Sequence, residues 1–450
     1  MTSRTQRTRR RWGAALAVAA IIPLLAACGS NAPGTGSGAA GKVDGSTIVI
    51  QTVNSLQPQF QKYADAYMKT FPKRKVQVRA STDDGAKYAQ QLATARIGGQ
   101  LPDVFFNVDF LADTLAKANV PLDLAPGIKE GKLGSLRIKD FVAPFVGQYR
   151  PINNPSEVTG LPVSADSVGL FYNKTIFERY GVTEYPKASW TWDDMLRVAK
   201  EIQDKSGGKV YGLGSPLQDG SNQLVFGPVL RAFGAEVYNG KTGKSDIGSP
   251  DAIKAWKLLI SAYGTSSNPY SSNPNDPALA FSAGNVAMGI GSRAAIPQTQ
   301  TTLKDDWNVQ SMPTINGKST AGGGSYGLSI SQTSKNQDAA WAFLKWFYSD
   351  SGMAVAQKVG GVIPPTNEGI DHGTWRNTNG LPPSNIGIFG HSARTAVLLT
   401  QLPGSSGSVL TQATVKATQE VVLQHVSVEK AFQEVQDTVN AQLAKDFKKK

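Results

Sequence analysis

Residues 47–53, TIVIQTV, begin a segment in which strand-like and helix-like patterns alternate. β-Branched residues dominate this stretch, which is typical of a strand. Apolar residues then recur at helical spacing over residues 57–71. Two further strands are predicted at 76–80 and 104–108, with a second helix between them at 86–97. Gly98 and Gly99 are placed to end that helix. The alternation predicts an α/β fold with a mainly parallel, layered sheet.

Later segments continue the helical pattern. Thr191 predicts a helix start, because a threonine side chain accepts backbone N–H bonds there and the following Asp193 and Asp194 favour the positive end of the helix dipole. We expect this helix to end at Gly207 and Gly208. Three more helices are predicted over 251–263, over 336–348 and around an apolar stripe within 428–443.

The first 27 residues predict a secretory signal peptide. Five arginines precede an apolar run over 13–27, which is shorter than the about 20 residues that a membrane span needs. The run ends in LAAC, residues 25–28, which resembles the lipobox of bacterial lipoproteins. That resemblance implies cleavage before Cys28 and attachment of a diacylglycerol to its sulfur. Residues 28–45 are then a lipidated cysteine and a flexible tether, which anchors the protein on the extracytoplasmic face of the cell membrane.

The charge of the chain does not predict a nucleic-acid partner. Its 450 residues include 46 basic and 34 acidic ones, a formal charge of +12, but five positive charges are the arginines of the signal. The others are dispersed among acids, without a helix-turn-helix or an aromatic–basic motif. Cys28 is the one cysteine of the sequence, which excludes intramolecular disulfides, cysteine-ligated zinc and a thiol catalyst in the body.

Two patterns imitate functional motifs without the required context. GGSYG at 323–327 fits G-x-S-x-G, but a strand is predicted after Ser325 where a nucleophile elbow needs a helix. The G-x-G-x-x-G pattern at 36–41 lies in the tether with no strand before it. The histidines at 372, 391 and 425 lack metal-binding spacing. We therefore expect no enzymatic activity, no cofactor and no metal.

A series of motifs in fixed order resembles the family-one extracellular solute-binding proteins, the sugar-capturing subunits of bacterial ABC importers. The most distinctive run begins with GLPV at 160–163 and continues to FYNKTIF at 171–177. Other stretches fit in the same order, namely LPDVF at 101–105, SWTWDDML at 189–196, FSAGNVAM at 281–288, GG at 322–323 with GLSI at 327–330, the helix over 339–348, and GVIP at 361–364. The resemblance extends over about residues 45–445.

This resemblance implies a two-lobe periplasmic-binding-protein-like α/β fold with the ligand in the cleft between the lobes. Lobe one would comprise 45–163 plus 327–350, and lobe two 164–326 plus 351–450. The chain would cross between them near 163–166, 326–328 and 348–351, and the lobes would close around the ligand by a hinge motion. The implied protein is a monomer that captures a small carbohydrate and delivers it to the transmembrane permease subunits of an ABC importer.

Candidate ligand contacts follow from the chemistry of sugars. Carboxylates and amides bind sugar hydroxyls, and aromatic rings stack on the apolar faces. The resemblance points to Asp166 and Asp109. Asn54 and Asp83 are candidates because they follow strands, whose carboxyl ends face the ligand crevice in open α/β sheets. Tyr326, at the second crossover, is a further candidate.

The sequence departs from the family's sugar-binding pattern at two places. Arg293 lies in GSRA, residues 291–294, where the family often has a tryptophan, and Gly390 takes the place of a second stacking tryptophan. Trp375 and Arg376 are candidates to compensate on a nearby loop. The expected ligand is a small sugar, or a solute with an anionic group facing Arg293 or Arg376. A binder of a phosphorylated polyol or another non-sugar solute on the same fold and a secreted carbohydrate-active enzyme remain alternatives.

Overall fold

A computed structural model describes residues 47–261, 263, 269–273 and 276–448. The expected signal peptide, lipobox and tether lie outside these residues. Within the described part of the chain, every helix is too short or too polar to span a membrane.

The described strands and helices alternate along the chain. The strands are β1 (Thr47–Val53), β2 (Lys75–Ser81), β3 (Val104–Val108), β4 (Leu161–Pro162), β5 (Asp166–Asn173), β6 (Tyr211–Leu213), β7 (Val286–Ser292), β8 (Trp307–Gln310), β9 (Thr314–Ile315), β10 (Lys318–Ser319), β11 (Gly322–Gly324), β12 (Tyr326–Ile330) and β13 (Val397–Leu398). The α-helices are α1 (Gln57–Thr70), α2 (Gly85–Ile97), α3 (Ala112–Lys117), α4 (Ala125–Lys129), α5 (Ala143–Gly147), α6 (Lys174–Arg179), α7 (Trp192–Ser206), α8 (Gln223–Phe233), α9 (Pro250–Ile260), α10 (Ile296–Thr302), α11 (Gln337–Phe347), α12 (Asp350–Gly360), α13 (Asn367–His372), α14 (Ile388–Thr395), α15 (Ser406–Gln424) and α16 (Val428–Lys448).

The first sheet has the order β2-β1-β3-β12-β4. Strand β1 runs parallel to β2 and β3, as the alternation of strands and helices predicts. Strand β12 is antiparallel to both β3 and β4. Because β1, β2 and β3 are parallel, their carboxyl ends share one edge of this sheet, where ligand-binding residues are expected in α/β folds.

The second sheet corrects the expectation of a mainly parallel architecture. Its order is β13-β11-β5-β7-β6, with β8 also paired to β5. Strand β5 is antiparallel to β7, β8 and β11, whereas only the β6–β7 and β11–β13 pairs are parallel. The apolar pattern of a strand fixes which face is buried but not the direction of its neighbour, so the sequence did not reveal this mixture.

Buried apolar clusters divide the described body into two lobes. One cluster is built on the first sheet and includes Ile50 and Phe60. Two others surround the second sheet and include Trp256 and Phe389. We call the parts around the first and second sheets lobe one and lobe two. Val142 and Phe145, which precede the first crossover, pack in a lobe-two cluster.

The third crossover lies later than the sequence predicts. Met353 and Ala356 of α12 are buried in the lobe-one cluster. The helix packs there against α1 and α11. Its apolar side chains therefore place 350–360 in lobe one, and the chain passes to lobe two between Val362, in the lobe-one cluster, and Ile363, in a lobe-two cluster. The expected boundary at 350/351 is replaced by one about ten residues further on.

The predicted start and end of α7 are confirmed by the local geometry. Thr191 Oγ accepts from the backbone N–H of Asp194 at 3.2 Å, and the Asp194 carboxylate accepts from the Thr191 N–H at 2.9 Å. This reciprocal pair is a capping box, which satisfies amides that the first helical turn leaves free. Gly207 ends the helix at a φ of 61°.

The first two crossovers run side by side between the sheets. Strand β11 belongs to the second sheet and β12 to the first, with Ser325 alone between them. The Val163 N–H donates to the Tyr326 carbonyl at 2.8 Å, and the Ser164 N–H donates to Ser325 Oγ at 3.3 Å. Hydrogen bonds thus join the two connections where the lobes meet.

Gly322 of β11 provides a test of how tightly this crossover packs. A Cβ at this position would lie 1.9 Å from the Leu224 carbonyl oxygen, which belongs to the backbone of α8. We expect Gly322→Ala to lower the free energy of unfolding by about 2 kcal/mol, since overpacking a close backbone contact forces the helix away. Urea denaturation measures the change. In the matched control Gly407→Ala, the added methyl meets nothing within 4 Å, and a gain of about 0.5 kcal/mol is expected for a helical glycine. An equally stable Gly322→Ala protein would contradict the packing described.

Candidate functional site

A cavity of about 380 Å³ lies between the lobes. Both lobes and the crossover strands contribute to its wall. The lining residues are Leu56, Gln59, Phe106, Val108, Asp109, Phe110, Ser164, Asp166, Leu224, Ala294, Gly324, Ser325, Tyr326, Gly360, Val362 and Leu399. Three of the predicted ligand contacts, Asp109, Asp166 and Tyr326, are therefore brought together here.

A second cavity, of about 580 Å³, is larger but less suited to a binding role. Gly214, Ser215 and Phe281 are among its lining residues, all of which belong to lobe two. It borders chain ranges outside the described residues. Because no lobe-one side chain reaches it, a ligand there would not contact both lobes. The cavity between the lobes is therefore the candidate site.

Asp109 is held at the carboxyl end of β3 and faces the crossover. Its side chain is almost fully buried, with 1% of the residue exposed. Oδ1 accepts from the Phe110 N–H at 2.9 Å, and Oδ2 accepts from the Ser325 N–H at 3.1 Å. Burial raises the pKa of this carboxyl to about 6, and the two backbone donors only partly oppose that rise.

Asp166 reaches the same cavity from the other lobe. It is the first residue of β5 and is partly accessible. Its Oδ1 accepts from the Ser167 N–H at 2.9 Å and from the backbone N–H of Arg293 at 3.2 Å. Burial raises the pKa of Asp166 to about 6, with backbone donors and the Arg293 charge acting in the opposite direction. The cavity is thus flanked by one carboxyl group from each lobe.

Arg293 lies behind this wall and not on it. The residue is 7% exposed, and its Nη2 donates to the Trp375 carbonyl at 2.9 Å. Its Nε and Nη1 are buried without a hydrogen-bond acceptor in the protein. Desolvation lowers the pKa of the guanidinium, whereas the Asp166 charge raises it. The neighbouring Ala294 lines the cavity in its place, so a direct ligand contact by Arg293 stays a prediction.

Aromatic rings form the lobe-one side of the cavity. The Phe106 and Tyr326 ring centroids are 5.5 Å apart. Gln59 Nε2 donates to the Tyr326 hydroxyl at 2.5 Å, which fixes the phenol. Phe110, which also lines the cavity, is 52% exposed. These rings offer flat apolar surfaces to a ligand.

Several wall residues escaped the sequence analysis for different reasons. Phe106 and Phe110 flank Asp109 at the end of a predicted strand, so that position was a usable signal. Gln59 lies on the first turn of α1 and gave no such signal. Leu224 and Leu399 are far away in sequence, and only tertiary packing brings them to the cavity.

Asn54 and Asp83 lie beside the site and not on its wall. Both are exposed. The Asp83 carboxylate accepts from the Ser55 N–H at 2.9 Å, which joins the loops that follow β2 and β1. Leu56, two residues beyond Asn54, is the part of this loop that lines the cavity. A ligand contact by Asn54 or Asp83 stays a prediction.

Trp375 and Arg376 occupy the expected loop, but the tryptophan ring belongs to the core. Trp375 is 1% exposed, and its Nε1 donates to the Ile370 carbonyl at 3.2 Å. The ring packs over Gly390, where a Cβ would lie 2.8 Å away from it. Arg376 is exposed, lies over the Trp375 ring at 4.8 Å and donates to the Asp371 carbonyl. In this placement neither residue lines the cavity, because the indole fills the space beside Gly390.

The G-x-S-x-G pattern at 323–327 has a structural role, whereas the glycine pattern at 36–41 lies outside the described residues. Ser325 has a strand on each side, and its hydroxyl donates to the Tyr326 carbonyl at 2.6 Å. His372, His391 and His425 are all exposed. Throughout the described ranges, no group of three or more His, Cys, Asp or Glu side chains is arranged to hold a metal ion.

One known protein family matches most of the described body. The model for bacterial extracellular solute-binding proteins matches residues 54–354. A curated binding protein of Brucella abortus is 26% identical over 272 residues, which cover 58% of this chain and 60% of that protein. The maltotriose-binding protein of Pyrococcus abyssi is 25% identical over 78% of this chain and 71% of its own length.

Solved structures show the same two-lobe fold. A substrate-binding protein of Listeria monocytogenes in complex with cycloalternan has a TM-score of 0.74 at 22% identity, covering 88% of this chain and 99% of that one. UgpB of Mycobacterium tuberculosis in complex with glycerophosphocholine also has a TM-score of 0.74, at 17% identity, covering 89% and 99% of the two chains. At these identities the likeness establishes the fold alone.

The buried Asp109 carboxyl predicts a pH-dependent stability. Its folded-state pKa of about 6 lies above the ordinary value of 3.8, so the folded protein holds the proton more tightly than the unfolded chain does. The contribution of Asp109 to the free energy of unfolding is fully present below the unfolded pKa of 3.8. It is lost as the pH rises through the folded pKa of about 6. Asp109→Asn removes the dependence. Between pH 4 and pH 7 the free energy of unfolding of the native protein should fall relative to the variant by on the order of 2 kcal/mol.

Denaturant titrations of both proteins at matched pH values measure this difference. Asp193→Asn is a suitable control, since Asp193 is exposed at the start of α7. Parallel stability–pH curves for the native and Asp109→Asn proteins would contradict the environment described.

Proposed function

The chain belongs to the family of bacterial extracellular solute-binding proteins, and we propose that it is the lipid-anchored binding subunit of an ABC importer. It captures a small carbohydrate in the cavity between its lobes and delivers it to the permease. The observation that carries this proposal is the wall of that cavity, to which each lobe contributes a buried or partly buried carboxyl group.

A ligand in this position would contact both lobes at once. Asp109 approaches from lobe one and Asp166 from lobe two, and the crossovers pass between them. A ligand shifts a conformational equilibrium only by its differential affinity for the two states. Contacts that exist only when the lobes are together therefore favour the closed form, which is the form that a permease is expected to recognise.

The chemistry of the wall suits a small carbohydrate. Carboxylate oxygens accept hydrogen bonds from sugar hydroxyls, and the Phe106 and Tyr326 rings offer apolar faces. A volume of 380 Å³ holds about a dozen water molecules, which corresponds to one or two sugar rings. Relatives named for maltotriose and lactose binding support this choice of ligand class.

Two carboxyl groups in one cavity also suggest glycoside hydrolysis. A glycosidase needs one carboxyl group that stays ionised and another that stays protonated, so their environments push the two pKa values apart. Here burial raises the pKa of both Asp109 and Asp166 to about 6. These pKa values do not separate a carboxyl group that stays ionised from one that stays protonated, and this favours binding over turnover.

A phosphorylated polyol is less compatible with the wall. An anionic ligand would need cationic or amide donors. The described residues that line the cavity include two aspartates and no lysine, arginine or histidine. The glycerophosphocholine complex of UgpB shows that the fold accepts such a ligand, but the charges facing this cavity oppose an anion.

The sequence supports the remaining parts of the proposal. The LAAC motif at 25–28 supports lipid attachment at Cys28, and residues 28–45 provide a tether on the extracytoplasmic face. The protein acts as a monomer, and its partners are the transmembrane subunits of the importer.

A panel of monosaccharides and disaccharides tests the ligand class. We expect at least one sugar to bind with a Kd in the micromolar range or below, about −8 kcal/mol. Asp166→Ala should weaken that binding by tenfold or more, because it removes a charged hydrogen-bonding group, and Asp193→Asn should leave it unchanged. Isothermal titration calorimetry gives the affinities, and small-angle scattering checks that the bound protein is more compact. No thermal shift with any sugar at millimolar concentration would refute carbohydrate binding, and release of a reducing sugar would refute a purely binding role.

Replacing the expected lipid attachment residue tests the anchor. Cys28→Ser removes the sulfur that the diacylglycerol requires, so the protein should move from the membrane fraction to the soluble extracytoplasmic fraction. Fractionation with immunodetection measures the distribution, and the native chain labelled with a radioactive fatty acid is the positive control. A serine variant that stays in the membrane fraction would contradict lipid anchoring.

A further inference from the structure

The wall of the inter-lobe cavity is rich in hydrogen-bond acceptors and poor in donors. An ionised aspartate accepts hydrogen bonds and donates none. Asp109 and Asp166 bring two such groups to the wall, and the described lining residues include no basic side chain. The guanidinium of Arg293 is directed toward the Trp375 carbonyl behind the wall.

Two of the four neutral polar side chains that line the wall, Gln59 and Ser325, already donate hydrogen bonds within the protein, which leaves the hydroxyl groups of Ser164 and Tyr326. Gln59 Nε2 donates to the hydroxyls of Tyr63 and Tyr326, at 2.5 Å in each case. Ser325 Oγ donates to the Tyr326 carbonyl and accepts from the Ser164 N–H. The remaining wall consists largely of apolar side chains such as Leu224 and Leu399. Few donors are therefore left for a ligand oxygen that needs to accept.

This imbalance discriminates between ligand groups. A sugar hydroxyl both donates and accepts, so a wall of acceptors leaves part of its hydrogen-bonding capacity unused at a cost. A protonated amine donates three hydrogen bonds and accepts none, so it leaves nothing unpaired between acceptor-only groups. It also neutralises carboxylates that the cavity desolvates, and an aromatic face attracts a cation.

We propose that the carbohydrate bound in the inter-lobe cavity carries a protonated primary amine, which pairs with Asp109 and Asp166 while the apolar face of its ring contacts Phe106 and Tyr326. This inference rests on the proposed function and narrows it to amino sugars. The two aspartates become specificity-determining residues, one supplied by each lobe. Because the amine bonds to both, it also links the lobes in the closed form.

The position of Arg293 fits this assignment. The residue is 7% exposed behind the wall, and its backbone N–H donates to Asp166 Oδ1 at 3.2 Å. Arg293 thus orients the Asp166 carboxylate without filling the cavity with positive charge. It is a positioning residue in this scheme and leaves the amine pocket negative.

Matched sugars that differ in one substituent test the proposal. The probes are glucose, glucosamine, N-acetylglucosamine and glucose 6-phosphate, the corresponding galactose set, and lactose beside lactosamine. Affinities are measured by isothermal titration calorimetry at pH 6.5. In at least one set, we expect the amino sugar to bind at least tenfold more tightly than the hydroxyl, acetylated and phosphorylated sugars of the same set. A hydrogen bond between charged groups is worth that much.

Variants separate recognition of charge from a structural effect. Asp166→Asn and Asp109→Asn each keep the side-chain shape, and each should reduce the preference for the amine over the hydroxyl sugar by tenfold or more. One variant lies in each lobe, so if one of the two proteins misfolds, the other still tests the role of the charge. Asp193→Asn, an exposed substitution of the same charge, should leave the preference intact.

The possible failures are distinguishable. Equal or tighter binding of the hydroxyl, acetylated or phosphorylated form would overturn the amine assignment and leave a solute-binding role in place. An amine preference that survives both aspartate substitutions would also overturn it. Absence of binding by every sugar in the panel would overturn the proposed carbohydrate function together with this inference.

Discussion

The hydrogen bond from the Ser325 N–H to the Asp109 carboxylate is the contact on which the arrangement of the site depends. Ser325 is the single residue between a strand of the second sheet and a strand of the first. Its amide is held at 3.1 Å by Asp109, and its hydroxyl accepts from the Ser164 N–H of the neighbouring crossover. The two connections are therefore fixed against each other, and the cavity forms around them.

The same contact has a cost in stability. Keeping Asp109 at 1% exposure raises the pKa of its carboxyl to about 6, so at neutral pH the folded chain holds a charge that would be better solvated in the unfolded chain. Burial also raises the pKa of Asp166 on the opposite lobe, so its charge lowers the stability of the folded chain at neutral pH in the same way. Large apolar clusters in both lobes offset it, including the stacked Trp256 and Phe432 rings at 3.9 Å. Buried charge in a cavity is a feature of functional sites, and these two residues follow that pattern.

Elements set by local interactions are predicted more closely from the sequence than contacts between distant residues. The helices α1, α2 and α7 begin and end within two residues of their predicted positions, because apolar spacing and capping residues are local signals. Asp109 and Asp166 are predicted from the family resemblance and Tyr326 from its place at a crossover, and all three line one cavity. Trp375 was placed on the right loop, yet its burial over Gly390 depends on a contact that no local pattern encodes.

By itself, the sequence determined the α/β class, the alternation of elements, the family and the pair of acidic residues at the ends of strands, since each of these depends on neighbouring residues or on ordered motifs. Only the tertiary structure decided the mixed direction of the second sheet, the assignment of α12 to lobe one and the apolar wall supplied by Leu224 and Leu399. It also placed the Arg293 side chain behind the cavity, so that the two carboxyl groups are the charged groups among the described lining residues. The physical reason is that strand direction, burial and the balance of donors and acceptors are set by partners hundreds of residues apart, which meet only when both lobes have packed.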